Sequence, residues 1–309
     1  MESRSVTVSS PATIANLVCG FDILGLALQE PYDLMTVKLI SEPVIRITNT
    51  DSFGLPTDPA QNVAGAVLKA VMESCKRDIG FEVSMEKRIK PGSGIGSSAA
   101  SAAAAAVAAN QLLDGIFSTQ ELISLAMEGE KLASGSRHAD NVAPCILGGI
   151  TLVRSTDPLD VVPIAYPELC VTVIHPQIEV RTSDARQVLK PEVSLKQAIQ
   201  QWGNVAGLVA GLFRKDYDLI GRSLEDVIIE PQRSILIPGL PEVKKACKAT
   251  RALGGGISGS GPSLFMLSRD VAAAREVESA MKAVYDQLNI SYNSYVTGIS
   301  SQGVSVITG

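Results

Sequence analysis

Apolar and polar positions alternate with a period of two over Arg4–Ser10, which predicts a strand. Tyr32–Leu39, Val44–Thr48 and Phe81–Lys87 also read as strands, and Gln61–Lys76 carries apolar residues at helical spacing. Between the first two strands, PATIANLVCGFDILG (residues 11–25) reads as a long loop. A Gly/Ser loop at Pro91–Gly96 leads into an alanine-rich helix from Ser97 to about Leu113. Ser118 with Glu121 three residues on forms a capping box that opens a helix running to about Ala133. Loop Ser134–Pro144 then leads to a strand over Gly149–Arg154.

The second half begins with a strand over Cys170–His175, followed by helices near Thr182–Leu189 and Ser194–Phe213. A further helix is predicted over Pro241–Leu253, stopped at Gly254 by a left-handed cap. Strand Ser263–Leu267, helix Val271–Leu288 and strand Ile290–Thr297 complete a β-α-β order that suits a ferredoxin-like second domain. The class is mixed α and β, α+β in two domains. The Pro-punctuated stretch Ser155–Pro167 is the expected boundary, giving domains over 1–160 and 161–309.

Composition narrows the function classes. Hydrophobic residues make up 46% and charged residues 19%, enough apolar content for a buried core and too much for wholesale disorder. The formal charge of −5, without Lys/Arg blocks, gives no footprint for a nucleic-acid backbone. Ala99–Ala109 is too short and too alanine-rich to span a membrane, where ~20 strongly apolar residues are needed. MESRSVTVSS lacks the apolar core of a signal peptide. Five widely spaced cysteines, with no Cys-x-x-Cys, suit reduced thiols in a cytoplasmic protein, and with only two His they disfavour a transition-metal site.

The strongest chemical signal is Pro91-Gly92-Ser93-Gly94-Ile95-Gly96-Ser97-Ser98-Ala99-Ala100-Ser101. Its glycines let backbone N–H groups curl toward an anion, and Ser97 and Ser98 add hydroxyls at a helix N-terminus. No Lys follows Gly96, so it is not a Walker A loop, and it does not follow the first strand as a dinucleotide fingerprint would. A phosphate cradle of another type remains, set against a plain serine-capped glycine turn. Ser98 with Glu128 or Glu130 could hold Mg²⁺, which takes few protein ligands, although most helix glutamates are merely solvated. Asn16 and Asp22 share one loop, and Asp22 could accept from a substrate ammonium or hydroxyl; turn capping is the plainer reading. Ser134–Pro144 gathers Arg137, His138, Asp140 and Asn141. Arg181 or Arg186 could clamp a carboxylate, although surface pairing is the commoner fate of an Arg. The stretch Gly254–Ser263 implies close backbone approach, either to a ligand or to the first domain.

PATIANLVCGFDILGLAL, PGSGIGSSAAS and GGGISGSGPS resemble, in order and spacing, the three motifs of the GHMP kinases. Asn16 with Gly20-Phe21-Asp22, the run Arg137–Pro144, and Ile174-His175-Pro176 with Arg181-Thr182 and Ala185-Arg186 are similar to the homoserine kinase branch in particular. The resemblance implies a ribosomal-protein-like N-terminal domain with a left-handed β-α-β crossover, against the ~98% right-handed rule, and a ferredoxin-like C-terminal domain. It implies ATP on Pro91–Ser101 with Asn62 and Lys87 as nucleotide contacts, and Mg²⁺ on Ser98 and Glu130. It implies homoserine on Asn16, Asp22, His138, Thr182, Arg186 and Arg233, and Asn141 near the γ-phosphate where many relatives carry Asp. Ser98, Glu130 and Asn141 are then the catalytic residues, with Asp140 the neighbouring candidate base. A homodimer is also implied. Val18-Cys19 departs from the family's usual Gly-Pro, which bears on loop geometry.

The expected reaction is transfer of the ATP γ-phosphoryl group to the homoserine hydroxyl. A mevalonate- or sugar-type kinase would keep the phosphate loop but not need Asp22. A non-catalytic metabolite-binding relative should lack some of Ser98, Glu130 and the glycines, all of which are present.

Overall fold

The computed structural model describes residues 4–308; Met1–Ser3, the start of the stretch read above for a leader, lie outside the described residues. Elements β1 (Ser5–Ala15), β2 (Leu24–Ile40), β3 (Ile45–Asn49), α1 (Val63–Cys75), β4 (Gly80–Glu86), α2 (Ser97–Leu112), α3 (Thr119–Ser134), α4 (Val142–Leu147), β5 (Ile150–Thr156) and β6 (Leu159–Ile164) build the first layer pair. Its sheet runs β3-β4-β2-β1, with β5 on the far end of β2 and β6 on β5. β3 and β4 are parallel and joined through α1; the other pairings of this sheet are antiparallel.

Residues 11–15 and 24–25 of the predicted loop are strand. β1 continues to Ala15 and pairs Thr13, Ile14 and Ala15 with Ala27, Leu26 and Gly25 of β2. Residues 11–15 are buried on both faces, so the alternation that marks a half-exposed strand is missing. Only Asn16–Ile23 is a true connection, and it carries Asn16 and Asp22.

α2 lies between this sheet and helices α1 and α3. Ala99, Ala100 and Ala102–Ala106 are all buried, and the small side chains let α2 sit close to its neighbours. A Cβ at Gly129 of α3 would stand 3.0 Å from that of Ala102, so α3 approaches equally closely. That approach brings Glu130 to the first turn of α2. The capping box of Ser118 and Glu121 forms as expected.

The second layer pair comprises β7 (Cys170–Pro176), α5 (Thr182–Gln187), α6 (Leu195–Arg214), α7 (Tyr217–Ser223), α8 (Glu230–Arg233), α9 (Leu240–Lys248), β8 (Ala252–Ile257), β9 (Leu264–Ser268), α10 (Val271–Gln287) and β10 (Tyr292–Gly298). The sheet order β10-β7-β9-β8, antiparallel throughout, is the ferredoxin-like 4-1-3-2 arrangement. A final strand, β11 (Ser305–Thr308), returns to pair with β1 of the first sheet. The expected division at 160/161 falls inside β6, which pairs with β5 of that same sheet.

The predicted helix over 241–253 is corrected. α9 stops at Lys248, and Gly254 lies within β8 rather than capping a helix. β8 is glycine-rich because its neighbours leave no room: a Cβ at Gly255 would overlap the Phe265 carbonyl, and one at Gly256 the Glu230 carboxylate. A strand without side chains leaves no period-two signal to read.

Candidate active site

The Gly/Ser loop between β4 and α2 closes one wall of a cleft of about 360 Å³ that also takes in the loop after β1, the start of α4, and α5. Gly92, Gly94 and Gly96 all have φ between 72° and 81°, the left-handed region open to glycine. A Cβ on Gly96 would overlap the Thr13 hydroxyl, and one on Gly94 the Gly261 carbonyl. Gly96 is the N-cap of α2 with no side chain bonded to the helix N-terminus, so the first-turn amides of α2 are left for an anion.

The stretch 254–263 approaches this loop rather than standing free. Ser258 donates to the Gly94 carbonyl at 2.7 Å, and Ser263 to that of Ser93 at 2.6 Å. Thr13 N donates to the Ile95 carbonyl at 3.1 Å. The cradle is therefore held from both domains.

Two expected nucleotide contacts turn out to be tied up. The Lys87 ammonium is buried in an ion pair with Asp33 and donates to the Ser97 carbonyl at 2.8 Å and the Ser101 hydroxyl at 3.0 Å. Its three donors are thus used, and Lys87 fixes the first turn of α2 from the cleft wall. Asn62 caps α1 through Ala64 N at 2.9 Å and donates to the Pro56 carbonyl at 2.6 Å. Both line the cleft, but their polar atoms serve the protein. Asp33, which also accepts from the backbone N–H groups of Arg88 and Ile89, was missed. Asp33 set between the apolar flanks Tyr32 and Leu34 of β2 was the available signal.

The Ser98 hydroxyl lies beside the Glu130 carboxylate, whose Oε1 is buried with no partner. Burial raises the Glu130 pKa from its ordinary value and the Ser98 hydrogen bond opposes it. A buried carboxylate oxygen left without a donor, beside a hydroxyl at a phosphate cradle, fits a hard divalent cation. Glu128 is not part of this arrangement: it pairs with Arg137 at 3.1 Å nearer the surface.

Asn141 Oδ1 accepts from Thr13 at 2.6 Å, which orients the amide so that its NH₂ group is the end free for the cleft. The neighbouring Asp140 carboxyl is pushed up to about 7, first by burial and then by the charges of Asp22 and Glu130. That exceeds its ordinary 3.8, so between these values the folded protein keeps a proton the unfolded chain has lost. Stability of the protein without ligands should therefore fall as pH rises from about 4 to about 7 on account of this group. Urea midpoints across that range should show the loss, and Asp140→Asn should flatten it; an unchanged slope in the variant would contradict the assignment.

At the other end of the cleft, Arg186 donates to both oxygens of Asp22, at 3.1 and 3.3 Å, and to His138 Nε2 at 2.7 Å. A guanidinium only donates, so Nε2 is an acceptor and His138 is neutral, its proton on Nδ1 facing Asp22 at 3.8 Å. Burial lowers the His138 pKa in the same sense; Asp22 opposes this, and Arg186 reinforces it. Arg233 is buried, donates to the carbonyls of Ala185 and Gly259, and stacks 4.8 Å over the Phe21 ring. Arg186 lies 5.7 Å from the same ring. Burial, reinforced by Arg186 and opposed by Asp22, Asp226 and Asp140, lowers the Arg233 pKa to about 10. Asn16 donates to the Gly259 carbonyl and accepts from Asp22 N. Thr182 meets Ser260 at 3.4 Å on the cleft wall. Arg181 instead pairs with Glu179 on the surface.

Asn16, Leu17, Val18 and Asp22 all have positive φ. For a β-branched residue such as Val18, at 67°, that conformation is strained by ~1–3 kcal/mol. Val18 is where the sequence departs from the usual Gly, and the loop keeps the left-handed turn without it.

Two family models match, GHMP kinases N terminal domain over residues 62–149 and GHMP kinases C terminal over residues 208–287. A homoserine kinase of Chloroherpeton thalassium is 45% identical over 98% of this chain and 100% of that protein. The chain belongs to the GHMP kinases, in their homoserine kinase branch. Another homoserine kinase, from Chlorobaculum tepidum, is 42% identical and covers 99% of each chain. The crystal structure of homoserine kinase from Cytophaga hutchinsonii superposes with a TM-score of 0.95 at 48% identity, covering 99% of this chain and 98% of that one. Leishmania major mevalonate kinase shares the fold alone, at 16% identity and a TM-score of 0.71, covering 97% of each chain. As a GHMP kinase the chain is an ATP-dependent phosphotransferase acting on a hydroxyl. No helix among the described residues is long and apolar enough to cross a membrane.

Proposed function

We propose that this GHMP kinase transfers the γ-phosphoryl group of ATP to the side-chain hydroxyl of L-homoserine, giving O-phospho-L-homoserine, with Mg²⁺ held by Ser98 and Glu130. One observation carries the substrate: Arg186 and Arg233 flank Phe21 beside Asp22, in the same cleft as the glycine cradle. Two guanidiniums suit a carboxylate and Asp22 an ammonium, so an α-amino acid is read at both charged ends. In the unliganded site these groups satisfy each other, and the amino acid replaces their pairing with its own.

The triphosphate lies on residues 91–101, against the first-turn amides of α2. Magnesium, when bound, neutralises charge developing on the transferred phosphoryl group. The hydroxyl oxygen forms the new bond to the γ-phosphorus as the bridging bond to the β-phosphate breaks, and ADP leaves. In a loose transition state the hydroxyl gives up its proton late, so positioning supplies most of the rate. Asn141, oriented by Thr13, donates toward the reacting oxygens, and the neighbouring Asp140 is the group with a pKa suited to receiving the proton. Localisation in the cytoplasm is supported by five cysteines without a disulfide.

ATP consumption compared for L-homoserine, mevalonate and galactose tests the proposal. Homoserine should be preferred by ~100-fold or more in kcat/KM, because the alternatives leave Asp22 or the arginines unpaired in a partly buried site. Equal turnover of mevalonate would overturn it.

A further inference from the structure

Three side chains of α6 hold the segment that leads into α8. Gln197 donates to the Val227 carbonyl, Asn204 to the Glu225 carbonyl at 2.9 Å, and the buried Gln201 to Asp226 Oδ1 at 3.0 Å. Of the three, Gln201 alone also crosses to the first domain, where Nε2 donates to the Cys19 carbonyl at 2.8 Å. Its Oε1 accepts from Val227 N at 3.0 Å, so both ends of the carboxamide are engaged. That fixes which way the amide points: turned over, its oxygen would face a carbonyl and a carboxylate.

Both segments joined in this way carry groups for the amino acid. Cys19 stands midway between Asn16 and Asp22, in a loop with positive φ at residues 16, 17, 18 and 22. Such a conformation persists only where the surroundings over-determine it. Asn16 pins the start of the loop to the Gly259 carbonyl, and Gln201 pins its middle. On the other side, the buried Asp226 carboxylate accepts from the backbone N–H groups of Ile228, Ile229 and Glu230 at 2.9, 3.0 and 2.8 Å. These bonds set the turn that opens α8, and α8 carries Arg233 over the Phe21 ring. Asp226, Phe21 and Arg233 line one small crevice, and the Asp226 charge favours the charged form of Arg233.

We infer that Gln201 is a positioning residue for substrate selection: by tying the Cys19 carbonyl to Asp226 it sets the separation between Asp22, the ammonium receptor, and Arg233, a carboxylate receptor. This rests on the amino-acid reading of the cleft. In an α-amino acid the two charged groups share one carbon, so their separation is fixed and the receptor must match it. Here the two halves of the receptor belong to different domains, and one buried amide bonded to both keeps them in register. The glycine cradle is held separately, by Ser258, Ser263 and the Thr13 backbone, so the nucleotide is outside the reach of Gln201.

Initial rates with L-homoserine and with γ-hydroxybutyrate, which keeps the carboxylate and hydroxyl but lacks the ammonium, test the inference. The wild-type protein should prefer L-homoserine by ~10³-fold in kcat/KM. Gln201→Met keeps the length of the side chain and removes its hydrogen bonds. It should cut that preference by ~10-fold or more and leave KM for ATP within a factor of about two. A side chain that only supports the fold would weaken both alcohols alike, and ATP with them. Asn204→Ala, one turn along α6, should keep the wild-type preference. Asp226→Asn should shift the preference in the same direction as Gln201→Met, and it is the deciding variant should Gln201→Met not fold. An unchanged preference in these variants, a loss in step with KM for ATP, or an equal shift in Asn204→Ala would overturn the inference alone. Wild-type protein indifferent to the ammonium would overturn the amino-acid reading, and the inference with it.

Discussion

Glu130→Gln should lower kcat by roughly 10²–10³-fold and raise the Mg²⁺ concentration needed for half-maximal turnover, a loss of ~3–4 kcal/mol of transition-state stabilisation. The substitution keeps shape and the partnership with Ser98 but removes the charge that would hold the cation. Oε1 is buried without a donor, and burial raises the pKa of the group, so in the unliganded protein this carboxylate is an energetic burden. The variant should therefore be no less stable to urea than the wild type. Loss of activity with retained or increased stability separates a functional carboxylate from a structural one. Full turnover at ordinary Mg²⁺ would remove Glu130 from the site.

Arg186→Ala should raise KM for the amino acid by roughly 10²-fold while leaving KM for ATP within a factor of two or so, as expected when one bidentate clamp on a carboxylate is removed. The split follows from position: Arg186 touches Asp22 and His138 and stacks near Phe21, and none of its contacts reaches residues 91–98. The loss is larger than a surface pair would give, because Asp22 is left without its cation and Arg233 must hold the carboxylate alone. Equal weakening toward both substrates, measured by initial rates with each varied in turn, would place Arg186 elsewhere in the reaction.

The site was legible where chemistry is local. Glycines at 92, 94 and 96 ahead of Ser97 and Ser98 specify a left-handed turn into a helix N-terminus in any setting, and the structure forms it. Ser118 with Glu121 and the N-caps Ser194 and Asp270 depend on neighbours within four residues. Roles that depend on long-range partners were read less well. Lys87 was read as a nucleotide contact, and nothing in its neighbourhood along the chain announces its ion pair with Asp33, 54 residues earlier. Gly254 looked like a helix stop, yet it lies in a strand whose lack of side chains is dictated by the Phe265 backbone and Glu230.

What the sequence by itself determined is the inventory: a phosphate-binding turn, an alanine helix fit only for burial, and three motifs whose order names the family. Each is set by backbone freedom, side-chain size or capping over a few residues. Only the tertiary structure decided which charges are free. Glu130 rather than Glu128, and Arg186 rather than Arg181, face the cleft, because close packing of α3 on α2 and the seating of α5 beside Asp22 select one side of each helix. A helix presents every side to the reader of a sequence, and burial chooses between them.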